Sequence, residues 1–216
     1  MSSISIKSLK CPNCNKEFEF GTYDSINVTL NPDLKKDVLN GNIFKCRCPN
    51  CNEEGPLIYP FLYHDMEKHF MIHLESFDKE ELNNVLKKMD DMMTDLTNDK
   101  FNYRHRLVNN IKDLIEKIII LDNDLNDKVI EMIKCMVKIN LRDKHNIDHL
   151  YFHIKDNKNL LAMIYENKYI GDWQLPDEFY NKIDILYKDN KIKDDEHNII
   201  DEYWAINFIE KLDIKE

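Results

Sequence analysis

The four letters CPNC occur twice in this chain, at residues 11–14 and 48–51, and this duplication constrains the fold more than any other feature. In each copy two residues separate the cysteines, so one tight turn can bring both thiols to a single point. Proline at the second position fixes φ for that turn. Asn15 and Asn52 follow the copies, where a left-handed backbone is often needed, and Asn tolerates that backbone better than any residue except Gly. We call the two copies the knuckles.

The cysteine pairs indicate a metal site rather than disulfides. The N-terminus, MSSISIKSLK, lacks the apolar segment of a secretory signal, and the longest aliphatic run, IIIL at 118–121, is much shorter than a membrane span. We therefore expect a cytoplasmic protein without membrane association, in which thiols stay reduced. Two knuckles separated by 33 residues then predict one tetrathiolate site. Its predicted metal ligands are Cys11, Cys14, Cys48 and Cys51.

Zinc is the predicted metal, and iron is the alternative. A rubredoxin-type iron site uses similar knuckles, with backbone N–H groups near its sulfurs that glycines help to expose. No glycine follows either knuckle in this sequence, which favours zinc. A zinc ion with four cysteine ligands has no open position for water or substrate, so its predicted role is structural.

Two further cysteines lie outside the knuckles. In an extended strand Cys46 points to the same side as Cys48, so it could approach the metal. The knuckle is complete without it, however, and we therefore predict a core cysteine at the base of the turn. The alternative is a spare thiol that exchanges with Cys48. Cys135 falls off the apolar face of its predicted helix, which indicates an unpaired and inert thiol.

The distribution of glycine, proline and apolar residues predicts an α+β fold. No glycine or proline lies between Pro60 and Gly171, so the N-terminal part is rich in turns and the middle can form long elements. We predict a strand-rich, zinc-ribbon-like module over residues 1–76, a helical block over 77–142, and a small mixed α/β part over 143–216.

Strands are predicted where apolar residues alternate, at 17–30, 57–63 and 69–74, with Pro60 placing the second at a sheet edge. Ile43 and Phe44 are expected to begin another strand. Segments 149–155 and 159–165 are predicted to form a hairpin, and helices are expected after Pro176 and near Asp201. Three helical stripes are predicted in the middle, and they comprise Leu82, Val85, Leu86, Met89, Met93 and Leu96 behind an Asp78 cap; Leu107, Ile111, Leu114, Ile115 and Ile118; and Val129, Ile130, Ile133, Met136 and Val137.

The histidines form no set that we assign to chemistry. His145, His149 and His153 are four apart, but the alternation around them predicts a strand with a solvated polar face. His64, His69 and His73 flank a turn and a strand in the same way. The sequence has no HExxH, Walker-type or GxSxG motif. We assign no catalytic residue and no residue that binds an organic cofactor.

The chain resembles the bacterial CpXC domain over most of residues 7–140. The resemblance is carried by CPNC at 11–14, NPDLKKDVLNGNIFKCRCPNC at 31–51, IYPFLYHD at 58–65 and RLVNNIKDLIEKIIILDNDLNDKVIEMIK at 106–134. Asn rather than the common Gly follows the knuckles. The resemblance implies a cysteine-bound metal domain, and it implies no particular reaction.

Charge favours a protein partner over a nucleic acid. Residues 1–64 hold seven basic and seven acidic residues, so the whole net charge of −10 lies on the rest of the chain. We predict a protein-interaction or assembly module with a structural zinc site, and the alternative is a rubredoxin-like or thiol-based redox protein. The oligomeric state stays open. The predicted contact surface comprises Lys45, Arg47, Tyr59, Phe61 and Tyr63, unless these aromatics instead form core.

Overall fold

The structure, a computed structural model, describes residues 2–78, 80–96, 103–191 and 198–212. Over these ranges the chain forms ten strands and six α-helices, which confirms the α+β class. It divides into an N-terminal unit, residues 1–115, and a C-terminal unit, residues 116–216. The sequence-based boundaries at 76/77 and 142/143 stay predictions. Within the described ranges, no helix combines the length and the apolar composition needed to cross a bilayer.

The N-terminal unit is built on a five-stranded mixed sheet. Its strands lie in the order β1-β2-β5-β6-β7, with β2·β5 and β6·β7 parallel and the other pairs antiparallel, while β3 and β4 form a separate hairpin. The elements are β1 (Ser3–Lys10), β2 (Glu17–Asn27), α1 (Leu34–Leu39), a 3-10 helix (Asn42–Phe44), β3 (Lys45–Arg47), β4 (Glu54–Pro56), β5 (Phe61–Asp65), β6 (Phe70–Leu74), α2 (Leu82–Leu96), β7 (Arg104–Val108) and α3 (Ile111–Asp122), within which the division between the units falls.

The predicted edge strand at Pro60 is wrong. Pro60 precedes β5, so its missing N–H removes no ladder bond, and β5 lies centrally between β2 and β6. Phe61 and Tyr63 are consequently buried, as is Tyr59, whose hydroxyl donates to the carbonyl of Ile43 at 2.9 Å. These aromatics are core residues, which confirms the alternative for them, and the prediction that they form a contact surface is wrong. Lys45 and Arg47 are exposed.

Two other local predictions also fail. Ile43 and Phe44 belong to the 3-10 helix and do not begin a strand. Leu107 was assigned to a helical stripe, but it lies in the strand β7. Four of the five β7 residues are buried, and a strand buried on both faces loses the alternation by which strands are recognised. The predicted helix α2 is confirmed. Its predicted cap is confirmed as well, because Asp78 Oδ1 accepts from the N–H groups of Glu80 and Glu81, both at 2.9 Å.

The core positions of α2 follow the predicted stripe as far as the structure describes them. Val85 and Met89 are buried. The side chains of Met93 and Leu96 lie outside the described part of the chain.

The C-terminal unit combines a three-stranded antiparallel meander, in the order β10-β9-β8, with three further helices. Both hairpin turns have two residues with φ between 49° and 60°, Asp156-Asn157 and Glu166-Asn167, which is the backbone of a type I′ turn. The predicted hairpin is therefore confirmed, while β10 was not predicted. The elements are α4 (Asp127–Leu141), β8 (His149–Lys155), β9 (Lys158–Tyr165), β10 (Lys168–Gln174), α5 (Asp177–Asn190) and α6 (Glu202–Glu210).

Cys135 lies in the core of the C-terminal unit, so its predicted position off the apolar face is wrong. Its side chain is 4% exposed and belongs to the same cluster as Phe152, Leu161 and Trp204. Burial, reinforced by the charges of Glu202 and Glu131, raises the pKa of this thiol to about 12. A thiol that remains protonated at neutral pH is a poor nucleophile, in keeping with the predicted inertness.

A network of buried charges lies beside this core. Lys134 Nζ is 3.0 Å from both Glu116 Oε2 and Glu131 Oε1, and the N–H of Phe152 in β8 donates to Glu116 Oε1 at 2.6 Å. The hydrogen bonds compensate part of the cost of removing these charges from water. The network comprises Glu116, Lys117, Asp127, Glu131 and Lys134.

We expect Lys134→Met to destabilise the protein by about 3–5 kcal/mol, because it removes the lysine 3.0 Å from the buried Glu116 and leaves Glu131 with Lys117, at 3.5 Å, as its cation. Urea unfolding followed by circular dichroism measures the change. The control is Lys188→Met, which removes an exposed lysine 2.6 Å from Asp184 and should cost at most about 1 kcal/mol. Equal losses in the two variants would contradict this account of the network.

Candidate metal centre

The two knuckles lie at the tips of two hairpins and share one backbone geometry. The first connects β1 to β2, and the second connects β3 to β4. In each, the N–H of the first cysteine donates to the carbonyl five residues further on, at 3.0 Å in the first knuckle and 2.8 Å in the second. The N–H four residues further on donates back to the first cysteine's carbonyl, at 2.9 Å in both. The repeated sequence thus folds into a repeated turn.

The asparagines after the knuckles adopt the predicted left-handed backbone. Asn15 has φ 57° and Asn52 has φ 61°. A β-branched residue would be strained here, because the two heavy atoms on its Cβ crowd the backbone at positive φ. These two positions let each chain turn back after its second cysteine and enter the next strand.

The four knuckle sulfurs converge on one point. Cys11 Sγ lies 3.6 Å from Cys51 Sγ, Cys14 Sγ lies 3.8 Å from Cys48 Sγ, and all four sulfurs lie within 4.8 Å of one another. A tetrahedron with sulfurs about 2.3 Å from its centre has edges of about 3.8 Å. The short distances join cysteines of different knuckles, so a metal ion held here would cross-link the two hairpins.

The environment of the Cys48 thiol lowers its pKa. Burial raises its pKa, but hydrogen bonds from the backbone N–H groups of Asn50 and Cys51 and from the thiols of Cys11 and Cys51 outweigh burial and lower the pKa to about 6. A lowered pKa favours the thiolate, which is the form that binds metal. Asn13 Nδ2, 3.7 Å from Cys51 Sγ, adds a polar group beside a second sulfur.

Cys46 lies outside this cluster. It is half-buried in β3 opposite Gly55. Burial, with the neighbouring Cys48 and Cys11, raises the pKa of its thiol and so disfavours the thiolate. This environment favours the interpretation of Cys46 as a core cysteine, and its exchange with Cys48 stays a prediction.

The histidines of β8 occupy a solvated strand face, as expected. His149 is exposed, and His153 Nε2 lies 2.9 Å from Asp172 Oδ1 on β10. The expectation fails for His73 in β6, which is buried and stacks edge-on against the buried His105 of β7 with 5.3 Å between ring centroids. Neither was predicted as core, because His73 was assigned to a polar face and β7 was not recognised.

The fold and the cluster define a domain in which two hairpins present a four-cysteine site that could hold a metal ion. The family model described as "CpXC protein" matches residues 9–134, more than half of the 216 residues, and the chain belongs to the CpXC family. The matched segment contains both knuckles. A search among curated proteins and a search among solved structures each found no match.

Asn52→Gly should leave stability within a few tenths of a kcal/mol, whereas Asn52→Val should lower it by about 1–2 kcal/mol, because a β-branched residue is more strained at positive φ than Asn or Gly. Chemical unfolding of the metal-loaded protein measures both. The matched positions Asn15→Gly and Asn15→Val should repeat the contrast. Equal tolerance of Val and Gly would show that the left-handed turn is not required.

The buried histidines predict a loss of stability in acid. Burial lowers the pKa of His73 to about 4, against about 6.5 in an unfolded chain, so protons bind the unfolded state first as pH falls. The His73 contribution is fully present above pH ~6.5 and falls by about 3 kcal/mol as pH drops to ~4. His105, whose pKa burial and the charges of His73 and Arg106 lower to about 3, acts in the same direction.

We expect His73→Phe to unfold with a flatter pH dependence than the wild type between pH ~6.5 and ~4. The control His149→Phe alters an exposed ring and should leave the dependence unchanged. Loss of metal in acid affects all three proteins alike, so the differences between them isolate the histidine. Identical profiles for wild type and His73→Phe would contradict the burial argument.

Proposed function

We propose that this CpXC-family protein binds one structural zinc ion through Cys11, Cys14, Cys48 and Cys51, and acts as a protein-interaction or assembly module. The observation that carries the proposal is the convergence of four thiols with sulfur–sulfur distances of 3.6 and 3.8 Å across the knuckles. These distances match the edges of a tetrathiolate tetrahedron.

Several features support zinc in a structural role. Four sulfurs satisfy the tetrahedral preference of zinc and leave no position for a reacting water. The hairpin β3–β4 has only three residues in each strand, too few for independent stability, so a cross-link at its tip has a structural purpose. Binding of structural zinc contributes about 10–16 kcal/mol to folding in small zinc domains.

The role in binding rests on charge and on the closed site. A fully coordinated zinc ion offers no catalytic position. Residues 1–64 are neutral and the rest of the chain carries the charge of −10, which repels a phosphate backbone and suits a protein partner. A cytoplasmic location, where the thiols stay reduced, is part of the same proposal.

Elemental analysis of the purified protein tests the metal, and the expected result is one zinc per chain. An iron tetrathiolate is the second candidate, because the backbone N–H groups of Asn50 and Cys51 donate to the Cys48 sulfur. Such hydrogen bonds also set the reduction potential of iron–sulfur sites. Iron at one per chain, with visible absorbance, would establish the redox alternative. Absence of both metals from a freshly purified, reduced protein would refute the metal site.

Cys48→Ala and Cys14→Ala should each lose zinc and unfold the N-terminal unit, because metal binding and folding are coupled. Chelation of the wild-type metal should have the same effect. Metal content and circular dichroism measure both outcomes. The matched control is Cys46→Ala, which removes a neighbouring thiol outside the cluster and should retain one zinc. Unchanged thermal stability after complete chelation would contradict a structural role of the metal.

A further inference from the structure

Two of the three apolar residues of β1, Ile4 and Ile6, lie on the exposed face of the strand, while Leu9 is half-buried on the other face. Ile4 and Ile6 face solvent and are 63% and 71% exposed, whereas the intervening polar residues are half-buried. Ser5 Oγ donates to Asp24 Oδ1 at 2.7 Å, and Lys7 Nζ lies 5.6 Å from the ring centroid of Tyr59. A half-buried strand ordinarily turns its apolar residues inward.

The register of β1 holds the two isoleucines outside. A slip of one residue along β2 would exchange the two faces of the strand and bury them. Hydroxyl contacts oppose that slip, since Ser3 Oγ lies 2.9 Å from Ser25 Oγ and Ser5 Oγ lies 3.2 Å from Thr22 Oγ1. The exposure of Ile4 and Ile6 is therefore fixed by side-chain pairing and is not the result of a loose end.

An exposed apolar surface and an open backbone edge coincide at β1. Ile4 lies opposite Tyr23 and Ile6 lies opposite Gly21, which offers no side chain to cover it. These four residues form what we call the β1 face. In the described part of the chain β1 is the first strand of its sheet, so its second backbone edge has no strand partner. Such an edge accepts an added strand.

We propose that β1 is a dimerisation strand, which pairs antiparallel with β1 of a second copy of this chain. A two-fold axis at Ser5 places Ile4 of each copy opposite Ile6 of the other, so four isoleucines meet on one face of a continuous ten-stranded sheet. The same register sets Lys7 opposite Ser3 and leaves Lys10 beyond the paired residues.

The sequence of β1, SISIKSLK, selects this partner and this register. An axis at Lys7 would set two lysines directly opposite each other, and like charges so placed are unfavourable. Only the axis at Ser5 pairs every isoleucine of β1 with an isoleucine. Residues 1–64 have no net charge, so the segment that carries β1 does not itself repel its copy. The proposal deepens the proposed function, since it rests on the N-terminal unit being an interaction module.

Sedimentation velocity on the full zinc-loaded chain over a range of concentrations tests the proposal. The wild type should show a reversible monomer–dimer equilibrium, and Ile4→Lys/Ile6→Lys should be monomeric throughout with unchanged zinc content and thermal stability. The matched control is Ile139→Lys, which alters a 58% exposed isoleucine on α4 and should dimerise like the wild type. A wild type that stays monomeric, or a dimer that survives the double substitution, overturns the proposal.

Hydrogen–deuterium exchange locates the contact. Amide protection of residues 3–10 should rise with protein concentration in the wild type and stay constant in Ile4→Lys/Ile6→Lys. Concentration-dependent protection elsewhere but not in β1 would overturn the assignment of the surface. A monomeric wild type that retains one zinc defeats only the β1 proposal, whereas a chain without metal defeats the proposed function separately.

Discussion

Four sulfur atoms that lie within 4.8 Å of one another constrain the two hairpins of the N-terminal unit that carry them. Cys14 and Cys48 are separated by 33 residues, and bringing the ends of such a loop together costs conformational entropy. The intervening chain supplies β2, one short helix, a 3-10 helix and β3, and its buried residues include Ile26, Val38 and Phe44. A metal ion bound by the four sulfurs would offset part of this cost by holding the tips of both hairpins together.

The convergence of the four cysteines was predictable from the sequence because the determinants of each knuckle are local. The spacing of the cysteines, the proline that fixes the turn and the asparagine at positive φ are properties of a single turn. The folded knuckles show the expected positive φ at Asn15 and Asn52. The helix caps were visible for the same reason, as Asp78 and Asp201 accept backbone N–H groups only two or three residues away. Turn chemistry needs no knowledge of the remainder of the fold.

The parts that the sequence analysis missed depend on the neighbours of a strand. Pro60 was assigned to an edge, but β5 begins one residue later and receives β2 on one side and β6 on the other. β7 is buried along most of its length, so its residues RHRLV lack the alternation of a half-exposed strand. His73 and His105 are hidden only because these two strands pair, and that pairing joins residues more than thirty positions apart. Position in a sheet cannot be derived from the composition of one strand.

The stabilisation from the buried charges of the C-terminal unit depends on temperature differently from the stabilisation from its apolar core. Lys134 bridges Glu116 and Glu131 away from water, and the penalty for dehydrating such ions falls as temperature rises. The stabilisation from apolar burial levels off over the same interval. The ion network therefore contributes a growing share of the free energy of unfolding as temperature rises. Glu116, which also accepts the N–H of Phe152 in β8, links this network to the three-stranded meander.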